Sequence, residues 1–345
     1  YTLSLHDALP IYEVYYITNN SSDLCTVRQC LTLSQFAANS SRYLHSDNTT
    51  LIFLPETHYL SNVNLALSNV DKYCFVMKSG NSTAQFKCSS YSYIHFSNAQ
   101  CIHIINLEFI GCGGNQVKHV EEFLVKDTKF EGRENSGTAL ELIGTTAQIV
   151  NSTFVSNRRG SNRQCFFYSP ADGCTIAAFV GGAIIISNST VSISQSKFND
   201  NRAVAGGAIY ATQQSIINMS GNVFINNNAD FAGGVLLSNN SNIITIAALN
   251  EFYNSTTTGV IGCSNSSLTI HASKFHSNLR ATVEYMYPEG GTVLSSYSCT
   301  ITIMASEFYN NKANEDGGVL FSFRDNIIMM ASEFYGNTAG GHGGA

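Results

Sequence analysis

Charge is what this sequence has least of. Lys, Arg, Asp and Glu make up 12% of its 345 residues, about half the usual share. The net charge of −6 and a pI of 5.8 leave no basic footprint for nucleic acid. Long apolar runs are missing too. The nearest, Cys174 to Ile186, is shorter than the ~18–20 residues that span a bilayer and carries Gly181 and Gly182, so no membrane segment is expected. Metal and nucleophile motifs are equally scarce. There is no C-x-x-C…C-x-x-C and no H-x-x-x-H; the nine His are scattered, with His95 and His103 in a Cys-flanked region and His271 and His276 around one strand end. There is no G-x-S-x-G elbow. Neither metal nor other cofactor is expected.

What the chain does have is a repeat. FNDNRAVAGGAIY from Phe198 returns as FINNNADFAGGVL from Phe224, FYNNKANEDGGVL from Phe308 and FYGNTAGGHGGA from Phe334. A period near 25 residues points to stacked supersecondary units.

The marker Phe sets a register. Seven and five residues before it stand apolar pairs: Ile102/Ile104, Phe123/Val125, Ala147/Ile149, Val191/Ile193, Ile217/Met219, Leu268/Ile270, Ile301/Ile303 and Ile327/Met329. Spacing by two means strand. Two residues before it the chain is small and polar, as at Thr128, Ser152, Ser196, Asn222, Ser273, Ser306 and Ser332. Phe252 breaks the register by one residue, and a β-bulge is expected to absorb this. Short strands at such a period predict a parallel β-helix in which like stacks on like about 4.8 Å apart. Phe then fills the interior. The column Asn157, Asn201, Asn227, Asn278, Asn311 and Asn337 is expected at a turn, in left-handed backbone. Gly pairs such as Gly206/Gly207 serve positive φ or close approach of coils, and Ala203, Ala229, Ala313 and Ala339 fill a narrow corner.

Upstream, Thr26 to Ala38 reads as a short amphipathic helix with Leu31, Leu33 and Phe36 inward. Thr50 to Pro55, TLIFLP, reads as a buried strand closed by Pro, and His58-Tyr59-Leu60 opens the next. Helix and strand together are expected to cap the first open sheet edges. Residues 1–11, YTLSLHDALPI, match the translation of a common sequencing adapter and are set aside. The expected division is thus 1–11 non-native, 12–100 cap and first coils, and 101–345 β-helix repeats. The native start, a signal peptide and further coils are expected beyond this stretch. Two insertions interrupt the rhythm, Arg158 to Phe179 and Ala281 to Gly290, the latter with Tyr285, Tyr287 and Pro288. Loops thrown from a rigid coil are frequent binding sites.

The ten Cys fall mostly in near pairs: Cys25/Cys30, Cys74/Cys88, Cys101/Cys112, Cys165/Cys174 and the more distant Cys263/Cys299. Eleven N-x-S/T sequons, with glycosylation candidates Asn39, Asn48, Asn81, Asn151, Asn188, Asn218, Asn254 and Asn265 among them, join these disulfide candidates in favouring an oxidising, extracellular or cell-surface location.

These residues carry a resemblance. GGAI at 181–184 and 206–209 with repeated F-x-x-N resembles the repeats of chlamydial polymorphic outer-membrane proteins, β-helical surface adhesins. The helix followed by LIFLP resembles the start of pectin-lyase-like right-handed β-helices. The combination is similar to large extracellular β-helix proteins of sponges and other marine invertebrates. It implies an all-β, right-handed parallel β-helix (solenoid) with a short N-terminal capping helix, and either adhesion or cleavage of acidic polysaccharides.

For cleavage, hydrolases of the family use clustered Asp with Gly-His-Gly. Gly341-His342-Gly343 is present, but inside a Gly-pair turn and without those Asp residues, so it reads as a turn. Glu251, Glu307 and Glu333 precede the marker Phe and point outward; no catalytic residue is assigned. Tyr253, Tyr309 and Tyr335 follow it and would form an outward aromatic column suited to sugar rings or a partner, with His276 and Ile225 in that position elsewhere. Arg158, Arg159 and Arg163 would add contacts to acidic sugars. The reading is a non-catalytic extracellular scaffold for glycans or cell-surface proteins, with a polysaccharide lyase or glycoside hydrolase of the pectin-lyase-like class as the alternative.

Overall fold

Apolar residues spaced by two and separated by left-handed corners wind this chain into a right-handed parallel β-helix. The computed structural model describes residues 12–18, 30–38, 43, 48–60, 65–89, 93–133, 136–159, 180–240, 242–256, 259–280 and 291–344. Each mature coil lays down three main strands, for example Ile209–Thr212, Ile216–Ser220 and Val223–Ile225, and several add a short fourth, here Asn228–Ala232. Successive coils pair in parallel and in register, as in Ile217↔Ile244 and Phe224↔Phe252. The third strands form an 11-stranded sheet of their own, the third face. In early coils the first two strands run on as one, in Ile94–Ile105 and Asn115–Lys126, bending at Asn98 (φ 51) and His119 (φ 52).

The core is a filled tube. Phe86, Phe109, Phe130, Phe154, Phe198, Phe224, Phe252, Phe275, Phe308 and Phe334 stack ring on ring, centroids 4.4–5.0 Å apart and planes within 15°. Beside them the apolar pairs of the second strands, such as Val191/Ile193 and Ile217/Met219, are buried.

Corners are held by side-chain rungs that satisfy buried backbone groups. Asn201 N and Nδ2 both donate to Asn227 Oδ1, at 3.1 and 2.9 Å, while Asn227 Nδ2 donates to the Phe198 carbonyl at 3.0 Å. The small polar column makes a second ladder: Ser152 N donates to Ser196 Oγ (3.1 Å), and Ser196 N to Asn222 Oδ1 (2.9 Å). A third runs through Thr145, Ser189, Ser215 and Asn242.

Four expectations are corrected. The Asn of the rung is not left-handed; the residue before it is, at Ser156, Asp200, Asn226, Ser277 and Asn310. That frees the Asn side chain to turn inward, where Asn201 and Asn227 are fully buried. The extra residue before Phe252 makes no bulge. The strand Ile243–Ala247 pairs evenly with its neighbour, and the insertion sits in the corner as Ala248-Leu249, both at positive φ, with Leu249 79% exposed. The N-terminal helix is shorter than expected, Leu33–Ala38, because Cys30–Leu31 instead pairs as a strand with Tyr16 and Ile17. Leu33 and Phe36 are buried as expected, and Leu31 is half-buried.

Fourth, the described disulfides are Cys74–Cys101, Cys88–Cys112 and Cys263–Cys299. The distant pair Cys263/Cys299 is as expected, while the near pairs Cys74/Cys88 and Cys101/Cys112 exchange partners. The parallel stack brings together residues one coil apart, 24 to 36 in sequence, whereas Cys74 and Cys88 fall on different strands of one coil. Cys30 is disulfide-bonded. Cys25, Cys165, Cys174, Arg163, Asn39, residues 1–11 and the insertions 160–179 and 281–290 lie outside the described residues.

Candidate recognition face

The third face buries its marker Phe and so turns the residues on either side outward. Glu251–Tyr253, Lys274–His276, Glu307–Tyr309 and Glu333–Tyr335 are its strands, and their register sets Tyr253↔His276, His276↔Tyr309 and Tyr309↔Tyr335. The rings stack with centroids 5.0, 4.7 and 5.0 Å apart and planes within 8°. His276 thus fills the rung between two tyrosines. Ile225 occupies the next rung below Tyr253. Tyr335 is 48% exposed and the others are half-buried.

Because the rings lie over one another, their faces are mostly covered. Solvent meets ring edges and phenol hydroxyls, an amphipathic ridge rather than an open platform. Burial raises the Tyr309 hydroxyl above its ordinary pKa, and Tyr335 adds to this, so this hydroxyl keeps its proton near neutral pH.

A charged row runs alongside, in the order Glu251, Lys274, Glu307, Glu333. His276 Nε2 donates to Glu251 at 2.9 Å, which fixes the ring, and Lys274 Nζ lies 3.1 Å from Glu307. Hydrogen bonding to Glu307 holds the Lys274 ammonium above its usual value. Glu307 and Glu333 are coil neighbours.

The arginines are placed elsewhere. Arg158 pairs with Asp200 at 2.7 Å on the rung opposite Arg202, with the coils of Phe198 and Phe224 between it and Tyr253. Arg159 donates to Thr138 Oγ1 at 3.0 Å and to the Val180 carbonyl, and burial lowers its pKa. The structure does not bring these arginines to the ridge.

Among the sequons, Asn81, Asn151, Asn188, Asn218, Asn254 and Asn265 are exposed. Asn48 accepts from Cys74 N, and Asn151 donates to Asp127. At Asn151-Ser152 and Asn188-Ser189 the string has a structural origin: a left-handed Asn is followed by the Ser of a corner ladder.

Sequence spacing missed one cluster. Cys74, Cys101 and His103 come together on the outer side of three early coils, with Glu122 hydrogen-bonded to His103. The signal lay in a C-x-H string plus a Cys one coil away, visible only once coil length is known.

No protein-family model matches the chain, and no curated protein does. Among solved structures, the ORF18 protein of Geobacillus virus E2 is similar over 83% of this chain and 54% of its own, at 13% identity and TM-score 0.43. The chain therefore spans about half the length of that viral protein. PfbA, a surface adhesin of Streptococcus pneumoniae, is similar over 90% and 86%, at 11% identity and TM-score 0.39. A mannuronic-acid-specific polysaccharide family 6 lyase from human gut microbiota is similar over 84% and 81%, at 8% identity and TM-score 0.30. Among the described residues, no helix is long and apolar enough to cross a membrane.

Proposed function

We propose that this chain is a non-catalytic extracellular scaffold that recognises glycans, or proteins of a cell surface, along the aromatic ridge of its third face. The observation that carries the reading is the unbroken outward column Tyr253–His276–Tyr309–Tyr335. Aromatic side chains combine apolar area with a polar handle and are rigid, which suits recognition. Their rings repeat every 4.7–5.0 Å, close to the rise per sugar of an extended polysaccharide, so successive sugars would meet successive rungs. The row Glu251, Lys274, Glu307 and Glu333 supplies hydrogen-bonding partners at the same spacing. Three disulfides between neighbouring coils support an oxidising compartment.

The test is a glycan array and a cell-adhesion assay with the parent and a Tyr309→Ala/Tyr335→Ala variant. These side chains point outward, so the variant should fold with an unchanged circular dichroism spectrum and lose about tenfold in binding, equivalent to ~1.4 kcal/mol. Unchanged binding would sink the ridge. The same samples incubated with pectin, alginate and chondroitin should release no oligosaccharide; release would move the reading to a lyase or hydrolase.

A further inference from the structure

Cys74 and Cys101 stand directly opposite one another on adjacent coils, Cα atoms 4.4 Å apart, and Glu122 is the next residue in that column. His103 lies two residues beyond Cys101 on the same outer side. Its Nε2 is 3.3 Å from Cys101 Sγ, 3.8 Å from Cys74 Sγ and 2.9 Å from Glu122 Oε1. Ligand atoms of Cys74, Cys101 and His103 all lie within 4.8 Å of one another, and among the described residues no other group of three or more His, Cys, Asp or Glu is so gathered.

Two of these separations, 3.3 and 3.8 Å from His103 Nε2 to the two sulfurs, match the edges of a metal tetrahedron, and the His103–Glu122 hydrogen bond would lengthen as the carboxylate turned onto the ion. Zinc bonds of about 2.3 Å to sulfur and ~2.0–2.1 Å to nitrogen and oxygen set ligand–ligand edges of about 3.3–3.8 Å. The donor set of two thiolates, an imidazole and a carboxylate is that of zinc and of cobalt in its place. Cys101 is buried and Glu122 is open to solvent, so an ion can enter from one side onto a fixed base.

We propose that the dithiol form of this corner is a site for zinc or a similar divalent ion, held by the two cysteines, the histidine and the glutamate and interchanging with the Cys74–Cys101 disulfide. A dithiol reductant delivers two electrons and two protons to the disulfide, breaking the S–S bond and leaving two thiols and an oxidised reductant. Binding of the ion then displaces the two thiol protons. The bridge and the metal are mutually exclusive, because the sulfurs must separate to the length of a tetrahedron edge to admit the ion.

The experiment adds cobalt(II) to the purified full chain under anaerobic conditions, before and after reduction. The reduced chain is expected to bind one cobalt with the visible bands of tetrahedral coordination and a thiolate charge-transfer band; the oxidised chain is expected to show neither. Cys74→Ser/Cys101→Ser should abolish the bands, and Cys88→Ser/Cys112→Ser should leave them. His103→Ala, an outward substitution that spares the core, should weaken binding by about tenfold or more. No thiolate band in the reduced parent would overturn the proposal, as would one that survives in Cys74→Ser/Cys101→Ser.

Discussion

At Gly207 a methyl group has nowhere to go. A Cβ there would run into the backbone carbonyls of Asn228 and Gly234 on the next coil, while its partner Gly206 sits at φ +62. The pair divides two tasks, positive φ at the first glycine and close approach at the second. Gly207→Ala is therefore expected to cost at least about 3 kcal/mol, read as loss of soluble protein or a lower urea midpoint. Gly80→Ala meets nothing within 4 Å and should stay within about 0.5 kcal/mol of the parent. His58 offers a second residue-scale prediction. Its ring is buried between Phe53 and Phe86 and its Nε2 donates to the Leu54 carbonyl. Burial lowers its pKa, opposed by that carbonyl and by Glu56. The folded chain thus takes up the proton less readily than the unfolded one. Stability is full above the unfolded value of ~6.5 and is lost as pH falls from there towards the lower folded pKa. Urea midpoints across pH 7 to 5 should fall in the parent, and fall less in His58→Phe. At this scale the sequence was legible where a residue type recurs, as with Phe198 and Gly206. It was illegible where the left-handed position is filled by Ser156, Asp200 or Asn226 in turn, because a shared backbone angle leaves no shared letter.

On the third face the strands from Lys129–Glu131 onward are three residues long, and the middle residue of each belongs to the phenylalanine stack. Phe224 is fully buried between Phe198 and Phe252, centroids 4.8 and 4.6 Å away. Phe224→Ala should cost about 3–5 kcal/mol, and Phe224→Leu clearly less, measured by chemical denaturation. The alternation that buries Phe also turns Tyr309 outward, and so the aromatic ridge could be read from sequence. His276 in that column could be read the same way, but that the rings cover one another's faces needed the structure. Phe252 shows the limit of pattern reading. One extra residue in a strand and one in a corner shift the letters equally, and only the even pairing of Ile243–Ala247 separates them. The helix expected over 26–38 is shortened to Leu33–Ala38 for another reason: apolar spacing is shared by a short helix and by the strand Cys30–Leu31, which its partner Tyr16–Ile17 decides.

Across the whole molecule, contacts join residues one coil apart, and this decides the cysteines. Pairing by nearness in sequence misplaced Cys74, Cys88, Cys101 and Cys112, since a coil separates true neighbours by about 25 positions. The same geometry governs the insertion after Asn157. The rung from Asn157 N to Asn201 Oδ1 measures 3.1 Å across 44 residues, and the next, from Asn201 N to Asn227 Oδ1, measures 3.1 Å across 26. Arg158 pairs with Arg202 and Val180 with Ala205, so the following coil crosses the same gap with Ala203 and Val204 alone. Replacing residues 159–179 by Ala-Val should therefore preserve the fold. Thermal unfolding should place it within about 1–2 kcal/mol of the parent, because loop closure costs grow slowly with length. A loss of cooperative unfolding would contradict this.

An equal rung length on both sides of so unequal a detour makes that corner a socket. The coil supplies a fixed pair of posts, Arg158 and Val180, and the rungs beside them close over separations of 44 and 26 residues alike. Cargo exchanged at this corner, whether a recognition loop or a reporter peptide, would be presented from a constant height on a rigid mast.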